Sequence, residues 1–463
     1  MANQLDMTKG NPFGLIVKFI VPVVLGNVFQ QLYNMVDTII VGRFVGLDAL
    51  AAVGATGTVS FLILGFALGL TSGFTVITAQ RFGAGDEHGL KVSVTNAVIL
   101  AAAASVILTV ISVSGMKWLL TVMNTPEDIF QMSYDYIIII CLGMVFTIFY
   151  NIMASLLRAV GNSKAPLYFL IISALLNIGL DLLFIKTFGM GVKGAALATI
   201  VSQGISGVLC IIYTFKVVKL LVPGKAELKP DTCCMKNQLG IGIPMALQFS
   251  ITAVGTIMVQ SALNRFGAVV VASYTAANKA GQLATLPYSA MGVAMATYSA
   301  QNRGINDIAR IKKGTRVASI MSVVYSLIIY GVAILTLPFL MRLFIDSNSP
   351  VSFEEIFDYG RTYILVSGVC YIPLGEIFIY RNVMQGCGFS FFAMIGGVVE
   401  LISRAIVSFI ATANMSYTGV CMADPITWFT TAVFLMVGYR FTVVKMNKDK
   451  KAFHLRRQKE HIK

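Results

Sequence analysis

Apolar runs long enough to cross a bilayer recur along almost the whole chain. A membrane-spanning helix needs about 20 mostly apolar residues. Twelve stretches meet that demand, at roughly 14–42, 49–80, 90–115, 129–157, 166–187, 194–222, 238–264, 269–300, 315–340, 360–385, 389–412 and 418–443. The breaks between them are short and carry Gly, Pro or charge, as in RFGAGDEHG at 81–89, NTPED at 124–128 and GNSKAP at 161–166. Only 12% of the 463 residues are charged, where a soluble protein carries about 25%. Mean hydropathy is +0.79. Disorder is excluded, because it requires low hydrophobicity. A soluble enzyme is excluded as well, since too few polar side chains remain to coat a globule. The first thirteen residues are polar, and the apolar run behind them is too long for a signal-peptide core, so it reads as an uncleaved first span.

The distribution of basic residues predicts orientation. Cytoplasmic loops are enriched in Lys and Arg. About 26 of the 35 Lys and Arg residues fall on the side that holds the N-terminus, the even-numbered loops and the tail. Both termini are therefore expected in the cytoplasm, in a multi-pass protein of the plasma membrane. The basic tail KMNKDKKAFHLRRQKEHIK is expected to set topology and attract anionic lipid, with no nucleic-acid partner. Seven cysteines form no CxxC pair and imply neither a disulfide framework nor a zinc site. No GxxxxGK[ST], HExxH or GxSxG motif occurs, and His88, His454 and His461 all lie outside the spans. No cofactor is expected.

The chain repeats itself. Arg43-Phe44 follows Pro22 at the interval at which Arg265-Phe266 follows Pro244. Ala79-Gln80-x-x-Gly83-x-x-Asp86 returns as Ala300-Gln301-x-x-Gly304-x-x-Asp307, with one residue of slippage. Each half then holds six spans, which makes the repeats parallel. Internal repeats of this kind are common in secondary transporters. The predicted fold is an all-α integral membrane protein with twelve transmembrane helices in two pseudo-symmetric six-helix bundles. The expected domains are an N-lobe at 1–222, a cytoplasmic linker at 223–237, a C-lobe at 238–446 and a basic tail at 447–463.

Charges inside spans are costly and usually functional. Asp37 lies deep in the first span, after Gln30, Gln31, Tyr33 and Asn34. Tyr33 and Asp37 are four residues apart and share a helix face. Asn177 and Asp181 repeat that spacing in span five, and Thr199 lies in span six. Carboxylate, amide, hydroxyl and phenol oxygens suit Na⁺, or a proton held between carboxylates. Pro22 removes a backbone donor about four turns before Asp37 and is a candidate hinge. Spans seven and eight contain no acid, but carry Gln248, Asn278 and Lys279. Lys279 is expected to be buried, reaching Glu376 or Glu400 or snorkelling outward. Glu400 and Arg404, four residues apart in span eleven, are expected to neutralise each other. Gly65, Gly69 and Gly73 form a small-residue stripe suited to close helix packing.

Taken together, Pro22, QQLYNMVDTIIVGRFVG-x-x-ALAAVG at 30–54, the Asn177/Asp181 pair with Thr199, RAVGNSKAP at 158–166 and the duplicated AQxxGxxD segment resemble the MATE (multidrug and toxic compound extrusion) family, of the bacterial type with an acidic first helix. The likeness covers nearly the whole chain. It implies two six-helix lobes around a V-shaped cavity, alternating access, and export of amphipathic, often cationic or aromatic compounds in exchange for H⁺ or Na⁺. It also implies that Asp37 is the coupling residue, surrounded by Tyr33, Asn177, Asp181 and Thr199, with Pro22 as the kinking proline. Gln30, Gln31, Asn34, Gln248, Asn278, Lys279, Glu376, Glu400 and Arg404 are the candidate substrate-cavity residues. The chain departs from the branch with carboxylates in helices 7 and 8. A monomer is the default expectation. The competing functions are a flippase for lipid or lipid-linked precursors, an intramembrane enzyme and a channel. The enzyme lacks a nucleophile or metal cluster among the spans.

Overall fold

The computed structural model describes residues 4–123, 125–344 and 353–461. The predicted break at 124–128 is described from Thr125 onward, and the predicted basic tail up to His461. The described helices are α1 (Pro12–Phe44), α2 (Leu47–Phe74), α3 (Val76–Ala84), α4 (Glu87–Val122), α5 (Glu127–Leu142), α6 (Met144–Ala159), α7 (Lys164–Asp181), α8 (Gly191–Val217), α9 (Thr232–Leu263), α10 (Ala268–Gly304), α11 (Ile308–Phe344), α12 (Phe353–Gly368), α13 (Tyr371–Gly386), α14 (Ser390–Ala413), α15 (Tyr417–Cys421) and α16 (Ala423–His461). Among the described residues there is no strand.

Among the described residues, nine helical segments are long and apolar enough to cross a membrane, and two bent pairs bring the number to eleven. The pairs are α5 with α6, bent by 47°, and α12 with α13, bent by 50°. The remaining predicted span is α10. It has the length of a span, but Ser273, Asn278, Lys279, Gln282 and Ser289 dilute its hydrophobicity. Large apolar side chains face outward in helical stripes. On α4, Val106, Ile107, Val110 and Ile111 are all exposed. Such a surface suits lipid, where an outward apolar face costs nothing.

The chain forms two compact units, residues 1–9 with 18–250, and 10–17 with 251–463. In the first, Leu70, Phe74, Leu90, Val94, Ile148, Ile152 and Leu156 build the core. The glycine stripe has a measurable consequence there. A Cβ at Gly69 would lie 2.6 Å from the Ala246 Cα, and one at Gly73 would lie 2.4 Å from the Gly242 Cα. Both neighbours are backbone, so no side chain can swing aside. Gly73→Ala should therefore cost about 1–3 kcal/mol, the usual range for an overpacked core. Gly54, with nothing near its would-be Cβ, is the control. Thermal melting of the purified protein in detergent checks this, and equal melting of both variants would refute it.

In the second unit, Tyr274 packs edge-on against Tyr363 at 4.5 Å, above Met341 and Ile364. Tyr288 shares a hydrogen bond with Ser326 at 2.7 Å. Buried phenols of this kind need such partners.

The duplicated AQxxGxxD segments have a structural explanation. Asp86 accepts from the Gly89 N–H at 2.9 Å and caps α4. Asp307 accepts from the Arg310 N–H at 2.9 Å at the start of α11. The Gly89 N–H, then desolvation, then Arg81 set the Asp86 carboxyl, with a net result below its ordinary range. A depressed folded-state value means the cap stabilises above the ordinary carboxylate range and is lost as pH falls below it. Asp86→Ala should cost about 1 kcal/mol at neutral pH, and less under acid conditions. Melting curves at the two pH values check both parts.

The polar segment before α9, with the first turns of α9, is fastened to the start of α4. His88 Nδ1 lies 3.1 Å from Glu227 Oε1, the Asp231 N–H donates to Asn96 Oδ1 at 2.9 Å, and Gln238 donates to the Ser93 carbonyl at 2.8 Å. The His88 contact, above all, holds the Glu227 carboxyl below its ordinary range.

Candidate functional site

Four helices of the first unit bring the predicted acidic residues together. α1 supplies Tyr33 and Asp37, α7 supplies Asn177 and Asp181, and α8 supplies Thr199. The fourth, α5, contributes Tyr136, which packs, as Val36 does, against the apolar cluster of Ile40 and Val41. Residues four apart on α1 and on α7 face the same way, which is why two pairs from distant sequence meet. Asp37 is 8% exposed, while Asn177 and Asp181 are fully buried. The side chains of Asp37 and Asp181 are within hydrogen-bonding reach of each other. The Tyr33 hydroxyl lies near the Thr199 side chain. The Asn177 amide donates to Asp181 Oδ2 at 3.0 Å and accepts from the Thr199 N–H at 3.2 Å, and its orientation is assigned from these two bonds. Ile40, Val41, Ile185, Val192 and Ala195 back the site with a dry wall.

Directly after Asp181 the chain forms a π-helical turn, Leu182–Thr187. Such turns insert an extra residue into a helix and are frequent at functional sites. Pro22 is buried within α1, which continues unbroken through it.

A carboxylate can only accept hydrogen bonds, so two facing carboxyls need a proton or a metal cation between them. The surrounding Tyr33, Asn177 and Thr199 add neutral oxygens, the donors that hard cations prefer.

The other candidates fall elsewhere. Gln30 and Asn34 are exposed on α1, Gln31 is half-buried, and Gln248 on α9 is buried. Asn278 binds the Tyr274 hydroxyl at 3.3 Å and Gln282 at 3.0 Å. Lys279 is exposed, not buried as expected, because its side of α10 faces away from the core of the second unit. Glu376 accepts from Ser319 at 2.7 Å.

Glu400 and Arg404 do meet, at 3.4 Å, but they are not a closed pair. Glu400 has a shorter bond to Arg381, at 2.9 Å, and Arg404 one to Asp424, at 3.0 Å. Sequence reasoning missed Arg381 and Asp424, which sit near span ends where charge is ordinary. Tyr136 carried no signal beyond its place in the aromatic–acidic string YDY.

The profile of the MatE family matches residues 22–183 and again residues 243–410. The chain belongs to the MATE family. The double match also bears out the internal repeat. MATE proteins are multi-pass membrane transporters rather than enzymes. The "Probable multidrug resistance protein YpnP" of Bacillus subtilis is 29% identical over 385 residues, covering 83% of this chain and 84% of its own. The "Probable multidrug resistance protein YoeA" of the same organism is 31% identical over 306 residues, covering 65% and 66%. A crystal structure of a MATE in complex with MaL6 shares the fold, with a TM-score of 0.88, 22% identity, and coverage of 97% of this chain and 100% of that one.

Proposed function

We propose that this MATE protein exports amphipathic cationic or aromatic compounds across the plasma membrane in exchange for H⁺ or Na⁺. Both termini lie in the cytoplasm, and transport proceeds by alternating access, with Pro22 as a hinge of α1. The observation that carries the coupling role is the meeting of Asp37 and Asp181 in a buried setting of neutral oxygens. The multidrug resistance names of the B. subtilis relatives support the substrate class. A cation entering between the two carboxyls removes their mutual repulsion, and Tyr33, Asn177 and Thr199 complete its shell. Conformational change follows only if the cation binds the two states with different affinity. A site split between α1 and the α7–α8 pair meets that condition whenever α1 moves. Gln30, Gln31 and Asn34, on the α1 turns just before the site, are placed to meet substrate.

The test is efflux of a fluorescent cationic dye from proteoliposomes, with proton and sodium gradients imposed separately. Efflux driven by one of them is expected. Efflux under neither, from folded protein, or transbilayer movement of phospholipid instead, would overturn the reading.

A further inference from the structure

The second unit holds its buried ion network in the chain register of the first unit's carboxylate site. The backbone fixes that register. Helices α6 and α13 correspond from first residue to last, Met144 with Tyr371 and Ala159 with Gly386. A left-handed glycine follows each, Gly161 at φ 79° and Gly388 at φ 87°. The same two main-chain bonds close both turns. Gly161 and Asn162 donate to Arg158 and Leu157, while Gly388 and Phe389 donate to Gln385 and Met384. Counting on from these glycines pairs Asn177 with Arg404, Asp181 with Ser408 and Ser173 with Glu400.

The next helix has its own marker. Gly194 lies against Phe184 and Met190, and Gly419 lies against Ala411 and Ser416. That pairs Thr199 with Asp424. The contacts agree, for Asn177 meets Thr199 in one unit and Arg404 meets Asp424 in the other. The Pro22–Pro244 register pairs Tyr33 with Gly255, and Asp37 with Val259.

The chemistry of the two places differs. Around Asp37 and Asp181 the described partners, Tyr33, Tyr136, Asn177 and Thr199, carry no positive charge. In the second unit a guanidinium occupies the corresponding place. Arg404 is 5% exposed, and its Nη2 reaches Asp424 at 3.0 Å and Glu400 at 3.4 Å. Gly255 makes room for it, since a Cβ there would lie 2.7 Å from Nη1. Arg381 balances the remaining charge through Glu400. Two guanidinium groups and two carboxylates leave the network neutral, as burial requires. Unlike a bound proton or sodium ion, an arginine cannot give up its charge.

We propose that Arg404 is a tethered cation, holding permanently between Asp424 and Glu400 the place that an exchangeable cation takes between Asp37 and Asp181. The second unit then exchanges no cation, and each chain has one coupling site. This rests on the reading of Asp37 given above.

The test counts bound cations, as radioactive sodium and as proton uptake, on the purified full-length protein in detergent. Wild type should bind one per chain, Asp37→Asn none, Arg404→Ala two, and the double variant one. Guanidinium chloride should displace the added cation and leave the original. The conservative Arg404→Gln should also gain a cation. Folded Arg404→Ala and Arg404→Gln proteins that gain no cation would overturn the proposal. Should both unfold, purification with guanidinium present should restore them, and failure of that rescue overturns it as well. If Asp37→Asn keeps its cation, the coupling role falls, but a gain on removing Arg404 remains countable in that background.

Discussion

An Asp37→Asn protein should fold and reach the membrane at wild-type levels, yet its gradient-driven dye efflux should fall to that of empty vesicles. Asparagine keeps the shape and the hydrogen-bonding reach of aspartate but removes its charge. Two unit charges about 4 Å apart interact by about 4 kcal/mol at an effective dielectric of about 20. Moving a two-state equilibrium from one side to the other takes about 5.5 kcal/mol. An interaction of that size between Asp37 and Asp181 would supply most of the switching energy, and the amide would supply almost none. Tyr33, Asn177 and Thr199 stay in place, so substrate binding should survive. Melting temperature, surface level and dye binding should be unchanged beside the lost efflux. A variant that still pumps dye against its gradient would remove Asp37 from the coupling role.

Arg381→Leu should strongly destabilise the second unit. Arg381 is 7% exposed and gives Glu400 its shorter bond. Removing one partner of a buried ion pair costs about 3–5 kcal/mol, because the other charge stays buried and uncompensated. Arg404 is held by Asp424 and offers Glu400 only its 3.4 Å contact. Adding Glu400→Leu should recover most of the loss, since a matched apolar pair often serves as well as the ion pair it replaces. The double-mutant cycle, read by thermal melting in detergent, isolates the interaction. Single and double variants that melt alike would show that the two residues are not coupled.

Much of this was legible because charge inside a span is rare. Asp37, Asn177 and Asp181 stood out against apolar neighbours, and their spacing of four predicted shared helix faces. Twelve spans followed from run length, and α10 was recognisable despite its polar residues. The positions of the bends were not legible. The break at Gly143 and the one at Val369–Cys370 interrupt apolar runs that read as continuous. The π-helical turn after Asp181 gave no signal either, because one extra residue leaves composition untouched. Lys279 was misread because hydropathy cannot tell which side of a helix faces inward. Arg381 and Asp424 were overlooked for a related reason. Near the end of a span a charge looks solvated, and only the fold brings those two to Glu400 and Arg404.

The paired bends of 47° and 50°, the left-handed Gly161 and Gly388, and the Asp86 and Asp307 caps divide what the two halves share from what they do not. The halves share their turns and caps and differ in their interior charges. Such a difference is open only to fused copies. A transporter assembled from two identical half-length chains would have to place the same residue in both, giving two acidic sites or two arginines. Two halves in one chain are free of that restriction. One half would then keep a site that loads and unloads, while the other would hold a side chain in place of a mobile ion. On this view the single polypeptide is what permits a division of labour between halves that still share one scaffold.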